Sequence, residues 1–221
     1  MDNDHCIFLF DDFISKEKCD EIIDRFENDP EKKVAVISTC DKDGNEIAVV
    51  NGDRKSGREI IIHPDHENWS DVYLLIIEMF AKKVSMQVIE TFCKHFEKYG
   101  ENQDDIKEIW FRNGVPFPGP AMSLNCTNPN SEYKWHNDSG RPEILFTGLL
   151  YLNDIDPNDG GATEFLHGMK IQPKAGRLLL FPAVWSAAHR GSYVRVNKYA
   201  IAFAVAMVPE SYIQETYFTS T

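Results

Sequence analysis

The stretch GRLLLFPAVWSAAHRGSYVRVNKYAIAFAVAMV, residues 176–208, decides the fold class. It opens on a short apolar run, RLLLF, and ends on an alternating one, KYAIAFAVAM, with turn-forming and polar residues between them. Both runs read as strands, and a period of two aims Lys198 to the same face as Ala200 and Ala202. His189 falls between them, near a strand end. A buried lysine beside small residues, close to a histidine, is the first sign of a site inside a sheet.

The same texture extends upstream. EIWFR, AMSLN, ILFTGLLYLN and ATEFL are short apolar or alternating runs separated by NGVPFPGP, NDIDPNDGG and QPKAG, which carry the turn residues. Short strands at regular spacing predict an antiparallel sandwich or barrel over residues 108–221. The first 107 residues are richer in helical signal. In FISKEKCDEIIDRFEND, Ser15 can cap a helix that places Cys19, Ile22, Ile23 and Phe26 on one face. From Trp69 to Gly100 an apolar stripe from Val72 to Phe96 predicts one long helix or two, with Ser70 as the cap. VAVIST and EIAVV bracket an Asp-Gly turn and suit a hairpin. The expectation is one α+β domain, residues 1–221, with helical support packed on one outer face of a β-rich half.

Bulk properties narrow the function. A chain of 221 residues can bury a sizeable core, and its 43% hydrophobic and 26% charged residues are ordinary for a globular protein. The formal net charge of −12 disfavours nucleic acid or an acidic membrane surface as partner. No run is long and apolar enough for a membrane span, and MDNDHCIFLFDDF lacks the basic start of a secretory signal. Five scattered cysteines without a CxxC pair read as reduced thiols, so a cytoplasmic location is expected.

EYKWHNDSG, residues 132–140, supplies the chemistry. On a strand, His136 and Asp138 would face one way and Asn137 the other. Alone, His-x-Asp is equally an ordinary polar turn. With His189 it becomes two imidazoles and a carboxylate, the donor set of a non-haem Fe(II) site with open coordination positions. Nine residues after His189 comes Lys198, a cation that would need an anion once buried. A dicarboxylate whose other end chelates the metal would supply it, with Tyr151 as a second donor; Arg195 is the rival cation.

These pieces jointly resemble the 2-oxoglutarate/Fe(II)-dependent dioxygenases, and among them the prolyl 4-hydroxylase-like group. HND, GLLYLND, DGGATEF, GRLLLFP and HRGSYVRVNKYAI stand in the family's order and approximate spacing, and IFLFDDFISKEKCDEII is similar to the group's opening strand and helix. The resemblance implies a double-stranded β-helix, or jelly roll, with the metal at its mouth. It further implies His136, Asp138 and His189 as iron ligands, Lys198 on the distal carboxylate of 2-oxoglutarate, and Tyr151 and Thr163 bonded to that cosubstrate. Fe(II), 2-oxoglutarate and O2 would be required, with ascorbate as reductant. The reaction implied is hydroxylation of an unactivated C–H bond coupled to formation of succinate and CO2. Asp138 argues against a halogenase, and the cupin pattern is absent. One departure stands out: where the family often has Tyr, nine or ten residues before the first histidine, this chain has Cys126 or Thr127.

Family analogy points to peptidyl proline as the substrate. Trp135, Arg141 and Trp185 are candidates to line a peptide groove, with NGVPFPGP and NPNSEYKW as loops over the mouth. A free amino acid or another small molecule is the alternative substrate. The alternative from a different class is a catalytically inactive jelly-roll binding module.

Overall fold

A computed structural model describes residues 6–43, 45–97, 100, 102–111, 114–139, 143–209 and 211. Ser15 accepts a hydrogen bond from the Lys18 N–H (3.2 Å) and caps α1 (Lys16–Asn28), which buries Cys19, Ile22 and Phe26. The long apolar stripe forms two helices, α2 (Ser70–Lys83) and α3 (Ser85–Glu97), separated at Val84. Ser70 is already helical and is not the cap. That position belongs to Trp69, whose indole has no acceptor with which to cap the helix N–H groups; its N–H donates to Asp29 Oδ2 at 2.7 Å. A second correction concerns EIWF, which lies within α4 (Gln103–Phe111) and not in a strand. So short an apolar run fits either state, and the acidic first turn, Asp104 and Asp105, favours a helix start.

The strands build two main sheets and a hairpin. A seven-stranded sheet contains β1 (Phe8–Phe10), β2 (Lys33–Val34), β5 (Gly57–Ile62), β6 (Val115–Thr127), β8 (Ile144–Tyr151), β11 (Leu178–Pro182) and β13 (Lys198–Val208). Its order is β1-β11-β8-β13-β6-β5-β2. A four-stranded sheet comprises β7 (Ser131–His136), β9 (Thr163–Phe165), β10 (Lys170–Ile171) and β12 (His189–Val194), in the order β10-β9-β12-β7. The hairpin pairs β3 (Ile37–Cys40) with β4 (Glu46–Val49). All the strand pairs are antiparallel, and from β6 onward the chain passes back and forth between the two sheets as in a jelly roll, with only β9 and β10 consecutive in one sheet. A bridge between Lys55 and Tyr133 ties the approach to β5 to β7 of the other sheet.

NGVPFPGP was expected to be a loop over the mouth, yet Val115 onward is the start of β6. There β6 pairs only with β13, through Pro116 and Pro118, while β5 joins it from Met122 on. On a free edge a proline's missing N–H costs no ladder bond.

Alternation divides the core. Leu178 and Leu180 of β11, with Ile201, Phe203 and Val205 of β13, meet the helices in one buried cluster that includes Phe26, Ile76 and Phe80. Leu179 and Phe181 point the other way, into a second cluster between the sheets with Tyr151, Phe165 and Ala200. The helices thus cover one outer face of the large sheet, as the sequence predicts, and no helix among the described residues is long and apolar enough to cross a membrane. Cys6, Cys19, Cys93 and Cys126 are free thiols.

Phe80 links the two layers, packing edge-to-face on Phe117 and Phe203. Phe80→Ala is expected to lower unfolding stability by about 3–5 kcal/mol in urea titrations, through lost burial and the cavity left behind.

Candidate metal centre

Strand pairing brings the two histidines together. His189, first in β12, lies directly across from His136, last in β7. Two residues further along β12, Gly191 pairs with Tyr133, which is three residues back along β7. The extra residue makes a bulge, so Tyr133 and His136 both face the inter-sheet cavity despite their odd spacing. Asp138 follows just beyond the strand, and ligand atoms of His136, Asp138 and His189 all lie within 4.8 Å of one another. His136 Nε2 is 3.8 Å from Asp138 Oδ1, and His189 Nε2 is 3.8 Å from Oδ2.

The outer hydrogen bonds fix the tautomers. His136 Nδ1 lies 2.7 Å from the Lys134 carbonyl oxygen, and His189 Nδ1 lies 3.2 Å from that of Ala187. A carbonyl only accepts, so each Nδ1 carries the proton and each Nε2 offers a lone pair to the common centre. Burial, with the neighbouring His189 adding to it, pulls His136 down to about 4, and burial also lowers His189. Both rings are therefore neutral, as metal binding needs. The Thr147 hydroxyl donates to Asp138 Oδ2 at 2.7 Å and orients the carboxylate. Two neutral nitrogens and one oriented carboxylate fit Fe(II).

The triad opens on a cavity of about 410 Å³ whose floor is Ala200, Ala202 and Ala204. Ala204 pairs with Thr147, so Lys198 and the triad stand at two ends of this small-residue floor. Lys198 is 8% exposed, and its Nζ donates to the Gly161 carbonyl at 2.7 Å. Among the described residues no carboxylate pairs with it, and burial alone pulls its pKa down to about 8. The acceptor depends on the double glycine: Gly160 and Gly161 have φ of +80° and +73°, and a Cβ on Gly160 would sit 2.0 Å from the Tyr193 carbonyl oxygen. A Cβ at Gly191 would lie 3.8 Å from Lys198 Nζ, so the absence of a side chain there keeps space in front of the ammonium.

Other expected residues take distinct places. Thr163 lines the cavity and accepts the Tyr151 O–H at 2.7 Å, which leaves its own hydroxyl proton free to point inward. Tyr151 is fully buried behind it and does not reach the cavity surface. Thr127 lines the cavity; Cys126 faces the other way and accepts from Arg58 at 3.3 Å. Arg195 is exposed and held by the Asn158 carbonyl, away from the cavity. Neither tryptophan lines it. The bulge turns Trp135 outward against Arg190 (5.2 Å), and Trp185 is 79% exposed on a 3-10 turn. Arg141 lies outside the described residues.

Sequence reasoning missed Tyr133, Thr147, Gly191 and Lys55 as cavity residues. Tyr133 stacks on His136, with centroids 3.8 Å apart, and burial pushes its phenol up to about 12. Beyond the triad an outer groove of about 570 Å³ shares Tyr133, His136 and Asp138 and is walled by Ile37, Thr39 and Val49 of the hairpin.

Comparison with known proteins agrees with this geometry. Residues 122–205 match the family model described as the 2OG-Fe(II) oxygenase superfamily, and that span carries all three metal-site residues and Lys198. No curated protein matches the chain. A prolyl hydroxylase from Trichoplax adhaerens, solved with a hypoxia inducible factor peptide fragment, superposes with a TM-score of 0.61 at 14% identity. The alignment covers 93% of this chain and 85% of that one. A Pseudomonas putida prolyl-4-hydroxylase gives 0.59 at 15% identity over 92% and 94%. The viral collagen prolyl hydroxylase from Paramecium bursaria Chlorella virus-1 gives 0.55 at 16% over 93% and 98%. At such identities the likeness establishes the shared jelly-roll fold.

Removing the Asp138 partner tests the centre. Thr147→Val should weaken Co(II) or Fe(II) binding about tenfold in calorimetric titration while leaving thermal stability near wild type.

Proposed function

We propose that this protein is a 2OG-Fe(II) oxygenase that hydroxylates an unactivated C–H bond with Fe(II), 2-oxoglutarate and O2, and that its substrate is peptidyl proline. The observation that carries the reading is the pairing, in one cavity, of the His136/Asp138/His189 triad with an unpaired buried ammonium at the opposite end of an alanine floor. A cation this buried is costly without an anion, and a short dicarboxylate is the anion that also leaves an oxo-acid end for the metal.

Bound iron would supply the oxygen activation that couples loss of CO2 to hydroxylation. The chain's own residues bind and orient. His136, Asp138 and His189 would hold the metal, at a point that borders the cavity. Lys198 pairs with the distal carboxylate, Thr163 donates its free hydroxyl proton to the same group, and Tyr151 fixes the direction of that hydroxyl. Apolar walls such as Phe181 and Leu149 exclude water from the reacting end. The outer groove beyond Tyr133 is open to a chain that passes over the triad. The fold shared with three prolyl hydroxylases supports proline as the target.

The test is anaerobic. Wild-type protein with Fe(II) and 2-oxoglutarate should develop a weak visible charge-transfer band that His136→Ala abolishes. Once O2 is admitted, proline-containing peptides should raise succinate release above that seen with free amino acids. No band and no succinate would leave the binding-module reading in its place.

Lys198→Ala should raise the dissociation constant for 2-oxoglutarate at least about tenfold, the worth of a charge-assisted hydrogen bond, with metal binding largely intact. The pH dependence follows from a lysine lowered to about 8. Below pH 8 the free protein holds the charged ammonium and affinity is full; as pH rises past 8 binding must take up a proton and weakens. Lys198→Arg should flatten that decline in the same titration.

A further inference from the structure

One buried ion pair in the cavity wall has no task in the proposed chemistry. Lys55 Nζ lies 3.0 Å from Glu59 Oε2, with the two side chains only 15% and 7% exposed. Burying such a pair is costly unless the remaining donors and acceptors are also used. Apart from a 3.5 Å bond from Ser123 Oγ to Glu59 Oε2, they converge on one residue. Lys55 Nζ donates to the Val36 carbonyl at 3.2 Å, and Glu59 Oε1 accepts the Val36 N–H at 3.2 Å. Val36 immediately precedes β3, the first strand of the hairpin that walls the outer groove. On its other side Lys55 Nζ stands 5.6 Å from the Tyr133 ring centroid, and that ring stacks on His136. The backbone bridge between Lys55 and Tyr133 holds the two in register.

We propose that the Lys55–Glu59 pair is a positioning device that references both the groove wall and a metal ligand to one fixed point. The ammonium attracts the electron-rich face of Tyr133 and holds that ring against the His136 imidazole, which sets the imidazole plane. The same ammonium and its carboxylate grip both backbone groups of Val36, which sets where the hairpin stands over the triad. Neither residue touches the metal or the reacting atoms; each acts through another. The His136 arm rests on the metal reading given above, and the hairpin arm does not.

Removing one charge would strand the other in a buried place, so the informative variant removes both. Lys55→Met with Glu59→Leu fills the volume with apolar atoms and should keep a thermal midpoint near wild type. Two readouts independent of turnover then decide. Hydrogen exchange at residues 36–40 should accelerate about tenfold while that of β13 is unchanged. Co(II) should bind about tenfold more weakly and with a shifted d–d spectrum, because a ligand has lost its orienting support. Wild-type exchange rates, or an unchanged Co(II) affinity and spectrum, in the folded double variant would overturn the proposal while leaving the metal centre standing. A wild-type protein that bound no Co(II) would overturn the metal reading and this proposal together.

Discussion

The pairing of His136 with His189 across β7 and β12 is the constraint from which the site follows. Once the strands are in that register, two Nε2 lone pairs face one point, and Asp138 needs only to turn the corner after β7 to complete the set. The register also costs β7 an extra residue, and that bulge brings Tyr133 over His136 while sending Trp135 outside. A shift of one residue would exchange the two faces of β12, exposing His189 and burying Arg190. Ladder hydrogen bonds therefore hold the geometry of the triad together with its side chains' own bonds to Lys134, Ala187 and Thr147.

β13 does a second piece of work with the same alternation. On one face Tyr199, Ile201, Phe203 and Val205 anchor the sheet to the helices. On the other, Ala200, Ala202 and Ala204 leave the volume in which a small diacid can lie. Large residues on one side supply stability, and small ones on the other give up packing to make a cavity. Lys198 begins this strand, so the cation is placed by the element that also makes the room. Its carbonyl partner, from the Gly160–Gly161 turn, is a neutral acceptor that holds the ammonium in place without cancelling its charge.

How much of this could be read in the sequence depended on whether a feature was local or relational. Lys198 sharing a face with Ala200 and Ala202 is local to one strand, and period-two alternation revealed it. The His-x-Asp pair, the distant His189 and the double glycine were legible because each carries an uncommon residue type for a chemical reason. What failed depended on partners. Pro116 and Pro118 sit in a strand because, among the described residues, no second strand pairs with that part of β6, and only topology shows it. Tyr133 is not legible as a cavity residue, because three residues of separation place it off the face of His136 in a regular strand, and a bulge is invisible without the facing strand. Thr127 and Cys126 could not be separated until the pairing of Thr127 with Lys198 fixed which one faces in. Trp135 and Trp185, expected to line a peptide groove, do not reach the cavity.

The charges of the chain and of its cavity have opposite senses, and this bears on how a diacid can bind at all. A net charge of −12 repels an approaching dianion over the whole surface. That repulsion is largely screened beyond about 8 Å at physiological ionic strength, so the decisive terms are those inside the cavity. There the Lys55 ammonium is matched by Glu59, and among the described residues Lys198 has no carboxylate to match it. With neutral imidazoles, the triad without a cation is negative through Asp138 and opposes the oxo-acid end of the ligand. With a divalent cation held between its three side chains, the same cluster becomes positive and attracts that end. Metal and diacid would therefore be coupled through one cavity, the cation making both ends attractive where only Lys198 was before. That coupling needs both partners enclosed together, which is what the two facing sheets provide.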